Sequence, residues 1–185
     1  MKSNPSLKKA GQLKTMSEIF NIKFDIGDKV VHPQHGVGFV ANIEEKQFEP
    51  NVSRTYYVVL IPDTTLWVPV DSPTSGLRRL SARSDLDQCR LVLQSAPLPL
   101  KSGRDLLASL AGRINQGSIV VQCEVVRDLK AYGWRKPLYG PIAEFQGRIL
   151  DVLCQEWAAI EELPVIDASH EISILLKKGK AAHMH

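Results

Sequence analysis

The chain of 185 residues is long enough for one ordinary domain or two small ones, and 44% apolar with 23% charged residues is usual for a folded protein. Its net charge of +3 is only mildly basic, which permits contact with a polyanion without making unaided grip on nucleic acid its expected business. No apolar run approaches the roughly 20 residues that span a bilayer, and the three cysteines, Cys89, Cys123 and Cys154, have neither zinc-site spacing nor the density of a secreted disulfide scaffold.

Residues 1–21 are polar with spaced lysines (Lys2, Lys8, Lys9, Lys14) and read as a flexible leader without a signal peptide's apolar centre. From 22 to 82 the pattern is that of strands. Phe24-Asp25-Ile26-Gly27-Asp28 leads into Lys29-Val30-Val31-His32, then a Pro33-Gln34-His35-Gly36 turn, then Gly38-Phe39-Val40-Ala41-Asn42-Ile43. Tyr56-Tyr57-Val58-Val59-Leu60, Leu66-Trp67-Val68-Pro69-Val70 and Gly76-Leu77-Arg78-Arg79-Leu80 follow, with Asp63-Thr64-Thr65 and Asp71-Ser72-Pro73 as turns. This order predicts a small β-barrel.

From about 83 the apolar period lengthens to that of helices. Ser84 and Asp87 form a capping pair before Leu86, Leu91 and Leu93, and Pro97-Leu98-Pro99 breaks the chain. Ser102 and Asp105 precede a helix with Leu106, Leu107, Leu110 and Ile114 on one face, ending at Asn115-Gln116-Gly117. Ser118 opens the next, with Ile119, Val120, Cys123, Val126 and Leu129 inward, and Tyr132 to Lys136 as a loop beyond it. Gly140-Pro141 starts a long helix with Phe145, Ile149, Leu153, Trp157 and Ile160 inside, and Pro164 ends it. Ile172 to Leu176 is a last packed segment, and 177–185 a disordered tail. The fold class is α+β: a β domain at 22–82 and an all-α domain at 83–176.

Together, the Gly27–Gly38 hairpin, the later strands and the helical order that passes through Glu124-Val125-Val126-Arg127-Asp128-Leu129 resemble the CarD-like transcription regulators. The likeness covers about 24–162. The β part also resembles the RNA-polymerase-interacting domain of transcription-repair coupling factors, but the chain has no Gly-x-x-x-x-Gly-Lys-Ser/Thr phosphate loop to support their motor chemistry. The resemblance implies a Tudor-like β-barrel that adds to a strand of the RNA polymerase β subunit. It also implies a helical domain that touches promoter DNA at the upstream edge of the melted bubble. On that register Lys46, Arg54, Trp67 and Pro69 are polymerase-binding residues, with Trp67 either an interface anchor or packed on the barrel. Lys101, Arg104, Arg113, Lys130, Trp134, Arg135 and Lys136 are the DNA-contacting set, the alternative being a solvated face diluted by Glu124, Asp105 and Asp128.

One departure stands out. The family's minor-groove tryptophan would fall at Leu100-Lys101-Ser102-Gly103-Arg104-Asp105, which holds no aromatic residue. Trp134 is a replacement wedge or a cover over the helix junction. Three readings follow: a regulator of promoter opening, which is favoured; a polymerase-tethered adaptor or competitor without the wedge; and a small enzyme with an unrecognised site on the helical domain. His32 and His35 lack further ligands nearby for zinc and serve a turn, with His35 bonding to local backbone. No nucleophile arrangement appears, so no enzyme, cofactor or metal is expected. The remaining expectations are a cytoplasmic monomer, weak polymerase-dependent promoter contact and no membrane partner.

Overall fold

A computed structural model describes residues 24–49, 52–71, 76–100 and 105–183. Five strands, β1 (Lys29–His32), β2 (Gly36–Glu49), β3 (Val52–Ile61), β4 (Thr64–Pro69) and β5 (Arg78–Arg79), precede five helices among these residues. The helices are α1 (Arg83–Gln94), α2 (Leu106–Gln116), α3 (Ile119–Arg135), α4 (Pro141–Glu161) and α5 (Val165–His183). No helix among the described residues is long and apolar enough to cross a membrane.

The α+β class holds, but the barrel does not. Among the described residues the strands form one antiparallel sheet in the order β4-β3-β2-β1-β5, with β4 and β5 at its two ends. A two-residue β5, paired only through Val30–Arg79 and Val31–Arg78, is too short to turn and meet β4. Thr64 and Thr65, expected in a turn, begin β4 and pair with Ile61 and Leu60, leaving Pro62-Asp63 as the whole turn.

The described residues divide into two compact units that do not follow the change of period at 82. One holds 24–29 and 38–71; the other holds 30–37 and 76–183. In the first, Thr55, Tyr57, Val59 and Val68 alternate onto a buried face, as a strand's period of two requires. Phe24 closes on that face, meeting Tyr57 edge-on at 5.3 Å between ring centroids and donating its N–H to the Tyr57 hydroxyl at 3.3 Å. Gly27, at a φ of +95°, turns the chain so that its N–H reaches the Val40 carbonyl at 2.7 Å.

The second unit is built around α3, whose Ile119, Cys123, Val126 and Leu129 are all fully buried. Leu86 and Leu93 of α1, Ile149, Leu153 and Trp157 of α4, and Ile172 of α5 join them in one core. Charged side chains close this core by pairing. Glu156, fully buried, takes both arms of the Arg78 guanidinium at 2.5 Å and the Ser81 hydroxyl at 2.8 Å. Through these contacts residues 78 and 81 are tied to α4. Arg90 of α1 donates to Glu171 of α5 at 2.8 Å and Glu161 of α4 at 3.0 Å, while the Trp157 indole N–H donates to the other Glu171 oxygen at 3.1 Å. The Glu171 hydrogen bond is the main reason the Arg90 pKa is raised, and the Arg90 bond holds Glu161 below the usual carboxylate range.

Several local expectations shift. The first helix begins at Arg83, with the Asp85 carboxylate accepting the Ala82 N–H at 3.0 Å, so Ser84 and Asp87 are not its caps. Ser102 and the leader lie outside the described residues. Tyr132 to Arg135 are the last turn of α3 rather than a loop. Residues 177–183, expected as a disordered tail, are helical, because Gly179 is buried where α5 meets the end of α1. In the 33–35 turn the imidazole that bonds to local backbone is His32, whose Nδ1 accepts the Gln34 N–H at 3.2 Å, and not His35.

Candidate binding surfaces

Strand parity decides what the first unit presents. The pairs Lys46–Arg54, Glu44–Tyr56, Tyr56–Pro69, Val58–Trp67 and Leu60–Thr65 put all of these side chains on the face opposite the buried one. Lys46, Arg54, Trp67 and Pro69 therefore share one face, contributed by three adjacent strands. Trp67 is 42% exposed, with the Lys46 ammonium 4.3 Å from its ring centroid. Lys46 also pairs with Glu44 at 3.3 Å. The cross-strand neighbour of Trp67 on this face, Val58, is itself buried at 8% exposure, so the face combines an exposed ring with a covered strand residue.

β4 ends the sheet. The Val70 N–H donates to the Thr55 carbonyl at 3.0 Å, which sets the phase of the ladder. By alternation, residues 66 and 68 direct their backbone groups to β3, while Thr65, Trp67 and Pro69 turn theirs to the free edge. Pro69 contributes no donor, so the edge offers a short donor–acceptor run centred on Trp67. Two exposed apolar residues on the same face, Phe39 at 46% and Leu60 at 36%, extend it; they pair with each other across β2 and β3. The sequence reading passed over both as ordinary strand residues. Only an exact register with its shift between Val40 and Asn42 reveals their direction.

In the second unit the basic residues are scattered. Lys101 and Arg104 lie outside the described residues. Arg113 is held by Glu124 at 3.0 Å across α2 and α3, both side chains about one-third exposed. Lys130 and Trp134 are half-buried, and the Lys180 ammonium of α5 sits 5.0 Å from the Trp134 ring centroid. Arg135 and Lys136, at the C-terminal end of α3, are exposed. Together with Pro97, Leu98, Pro99, Leu100 and Tyr132 they line a cleft of about 350 Å³. Lys180 was missed because it fell in the expected tail.

Comparison with known proteins fits this geometry. Residues 24–81 match the model of the CarD-like/TRCF RID domain, and β1 to β5 all lie within that span. Over 113 residues the chain is 32% identical to the Bacillus subtilis protein described as "Putative transcription factor YdeB", covering 57% of this chain and 71% of that one. That alignment is longer than the RID segment, so the likeness reaches into the helices. The chain belongs to the CarD-like family, whose RID domain is a polymerase-interacting module of transcription proteins.

Proposed function

We propose that this protein binds the RNA polymerase β subunit by adding a β-subunit strand to the free edge of β4, with Trp67 as the side-chain anchor. The supporting observation is that the exposed Trp67–Lys46 pair lies on the residues whose backbone groups face the open edge. Strand addition supplies backbone hydrogen bonds, and an aromatic ring beside a cation supplies local specificity. Arg54, Phe39 and Leu60 widen the same contact. Bound in this way, as a monomer in the cytoplasm, the protein brings its helical part to promoter DNA. Weak phosphate contacts from Lys130, Arg135 and Lys136 then adjust the lifetime of the open complex.

A second reading, the polymerase-tethered adaptor, is favoured by one specific feature. Residues 100–105 carry no aromatic side chain, and Trp134 is half-buried beneath Lys180. An adaptor of this kind occupies the β-subunit site without holding the bubble open.

Full-length protein and Trp67→Ala, titrated onto the polymerase β-subunit lobe, test the shared step. The substitution is expected to weaken binding at least tenfold, about 1.4 kcal/mol, with an unchanged circular dichroism spectrum. Equal affinities would remove β4 from the interface. Open-complex lifetime measured with the parent protein then separates the readings: a longer lifetime supports the regulator, an unchanged one the adaptor.

A further inference from the structure

The basic residues of the second unit are scattered except at one place, where the ends of α3 and α5 meet. There the Lys180 ammonium lies 5.0 Å from the Trp134 ring centroid. The two segments that meet carry charge of one sign. From Leu129 to Ala143 the chain has Lys130, Arg135 and Lys136 and no Asp or Glu. From Ile172 to His183 it has Lys177, Lys178 and Lys180, and again no acid. Asp128, just before the first segment, is 1% exposed and already paired with Arg127 at 2.8 Å.

Helix geometry sorts the α5 lysines by side. Ser169, Ser173, Lys177 and Lys180 stand at i, i+4, i+8 and i+11, which is one stripe of α5. The stripe starts beside the Cys154 thiol of α4. Burial pushes that thiol up, the Ser169 bond pulls it down, the Asp151 carboxylate of α4 raises it and Lys130 of α3 lowers it. Lys130 and Ser169 are thus both within reach of Cys154, and Trp134, one turn beyond Lys130, meets Lys180. α3 therefore runs along the Ser169–Lys180 stripe. Lys178 belongs to the other side of α5, seven positions beyond Glu171, which accepts from Arg90 of α1 at 2.8 Å. Lys177, Lys180, Arg135 and Lys136 are exposed, and Lys130 is half-buried. A helix dipole favours lysine in the last turn, but that effect fades before Lys177 and does not align α5 with α3.

We propose that Lys177 and Lys180 join Lys130, Arg135 and Lys136 in one cationic strip across α3 and α5 that holds the phosphate backbone of duplex DNA, with Lys178 outside it. A line of cations without facing acids suits a polyanion, and gives salt-dependent affinity with little choice of sequence. The inference rests on the DNA contact proposed above and extends it to a second helix.

The test is fluorescence anisotropy of the full-length protein on a labelled duplex of about 20 base pairs, repeated from about 50 to about 200 mM salt. The parent is expected to bind with an affinity that falls as salt rises. Each phosphate contact contributes about 0.9 to the slope of log K against log salt, so Lys177→Ala combined with Lys180→Ala should reduce that slope by about 1.8. Arg135→Ala combined with Lys136→Ala should reduce it about as much, whereas Lys178→Ala should leave it unchanged. Circular dichroism should be the same for every variant. A parental slope in the α5 double variant would overturn the inference alone, provided the Arg135 and Lys136 pair still lowers it, and the DNA contact would stand. A loss for Lys178→Ala equal to half that of the pair would reduce the strip to general surface charge and overturn it as well. Absence of salt-dependent binding by the parent would overturn both the strip and the DNA contact, and leave the polymerase titration unaffected.

Discussion

At the scale of single residues, His32 shows how burial decides charge. Its imidazole is pushed down to about 4, first by desolvation and then by the His35 ring whose centroid is 4.7 Å away. The unprotonated Nδ1 is also the atom that accepts the Gln34 N–H. The unfolded chain, with an ordinary histidine, takes up a proton near pH 6.5, whereas the folded protein refuses it until about pH 4. Stability therefore falls as pH drops through this window and is unaffected by His32 above it. Urea midpoints at pH 7 and pH 5 should differ more for the parent than for His32→Gln. An equal pH dependence in the two proteins would show that His32 titrates normally. In the sequence, His32 and His35 stood out as a pair at a turn. Which ring bonds to the backbone depended on the turn's geometry, and spacing does not carry that.

At the scale of elements, the apolar period located four of the five helices among the described residues and gave the last, Val165–His183, only as a packed segment at Ile172 to Leu176. Ile172, Leu175, Leu176 and Gly179 follow i, i+3, i+4, i+7, and all four are buried. The pattern was legible as far as Leu176; the lysine-rich stretch beyond it read as a tail, although the missing side chain of Gly179 lets α5 approach α1. A Cβ on Gly179 would lie 2.9 Å from the Leu93 carbonyl oxygen and 3.2 Å from Gln94 backbone atoms, which are not free to swing away. Helix propensity alone makes Gly179→Ala stabilising by about 1 kcal/mol, as it would be in a fraying end. Packing against backbone reverses the sign, to a loss of about 1–3 kcal/mol. Chemical denaturation of this one variant decides between the two, because they differ in direction. The barrel expectation failed for a related reason. Strand content and order are written in the residues, whereas closure depends on the length of β5, and Arg78-Arg79 gives only two paired residues.

At the scale of the whole molecule, a charge pair that no local pattern marks ties residue 78 to the helical core. The change from strand to helical period placed the boundary between compact units after residue 82, yet 30–37 and 76–81 belong with the helices. Arg78 and Glu156 are 78 positions apart, and each alone reads as a surface residue. Lys46, Arg54, Trp67 and Pro69 were singled out by the family resemblance alone, and the strand register brings them to one face. Asp128 was visible only as a charge diluting its basic neighbours, whereas its burial and its bonds to Arg127 and the Leu98 N–H take it out of that role. The pair makes a sharp demand on stability. Glu156 is fully buried and the Arg78 side chain 22% exposed, so removing the carboxylate leaves a guanidinium largely out of water. Glu156→Gln is expected to cost about 3–5 kcal/mol, enough to unfold a marginal domain. Replacing both residues, Arg78→Met with Glu156→Leu, removes the uncompensated charge and should recover most of that loss. Urea unfolding of the two variants beside the parent gives the answer. A single variant losing less than about 1 kcal/mol would mean that apolar packing, rather than the ion pair, joins 76–81 to the helical core.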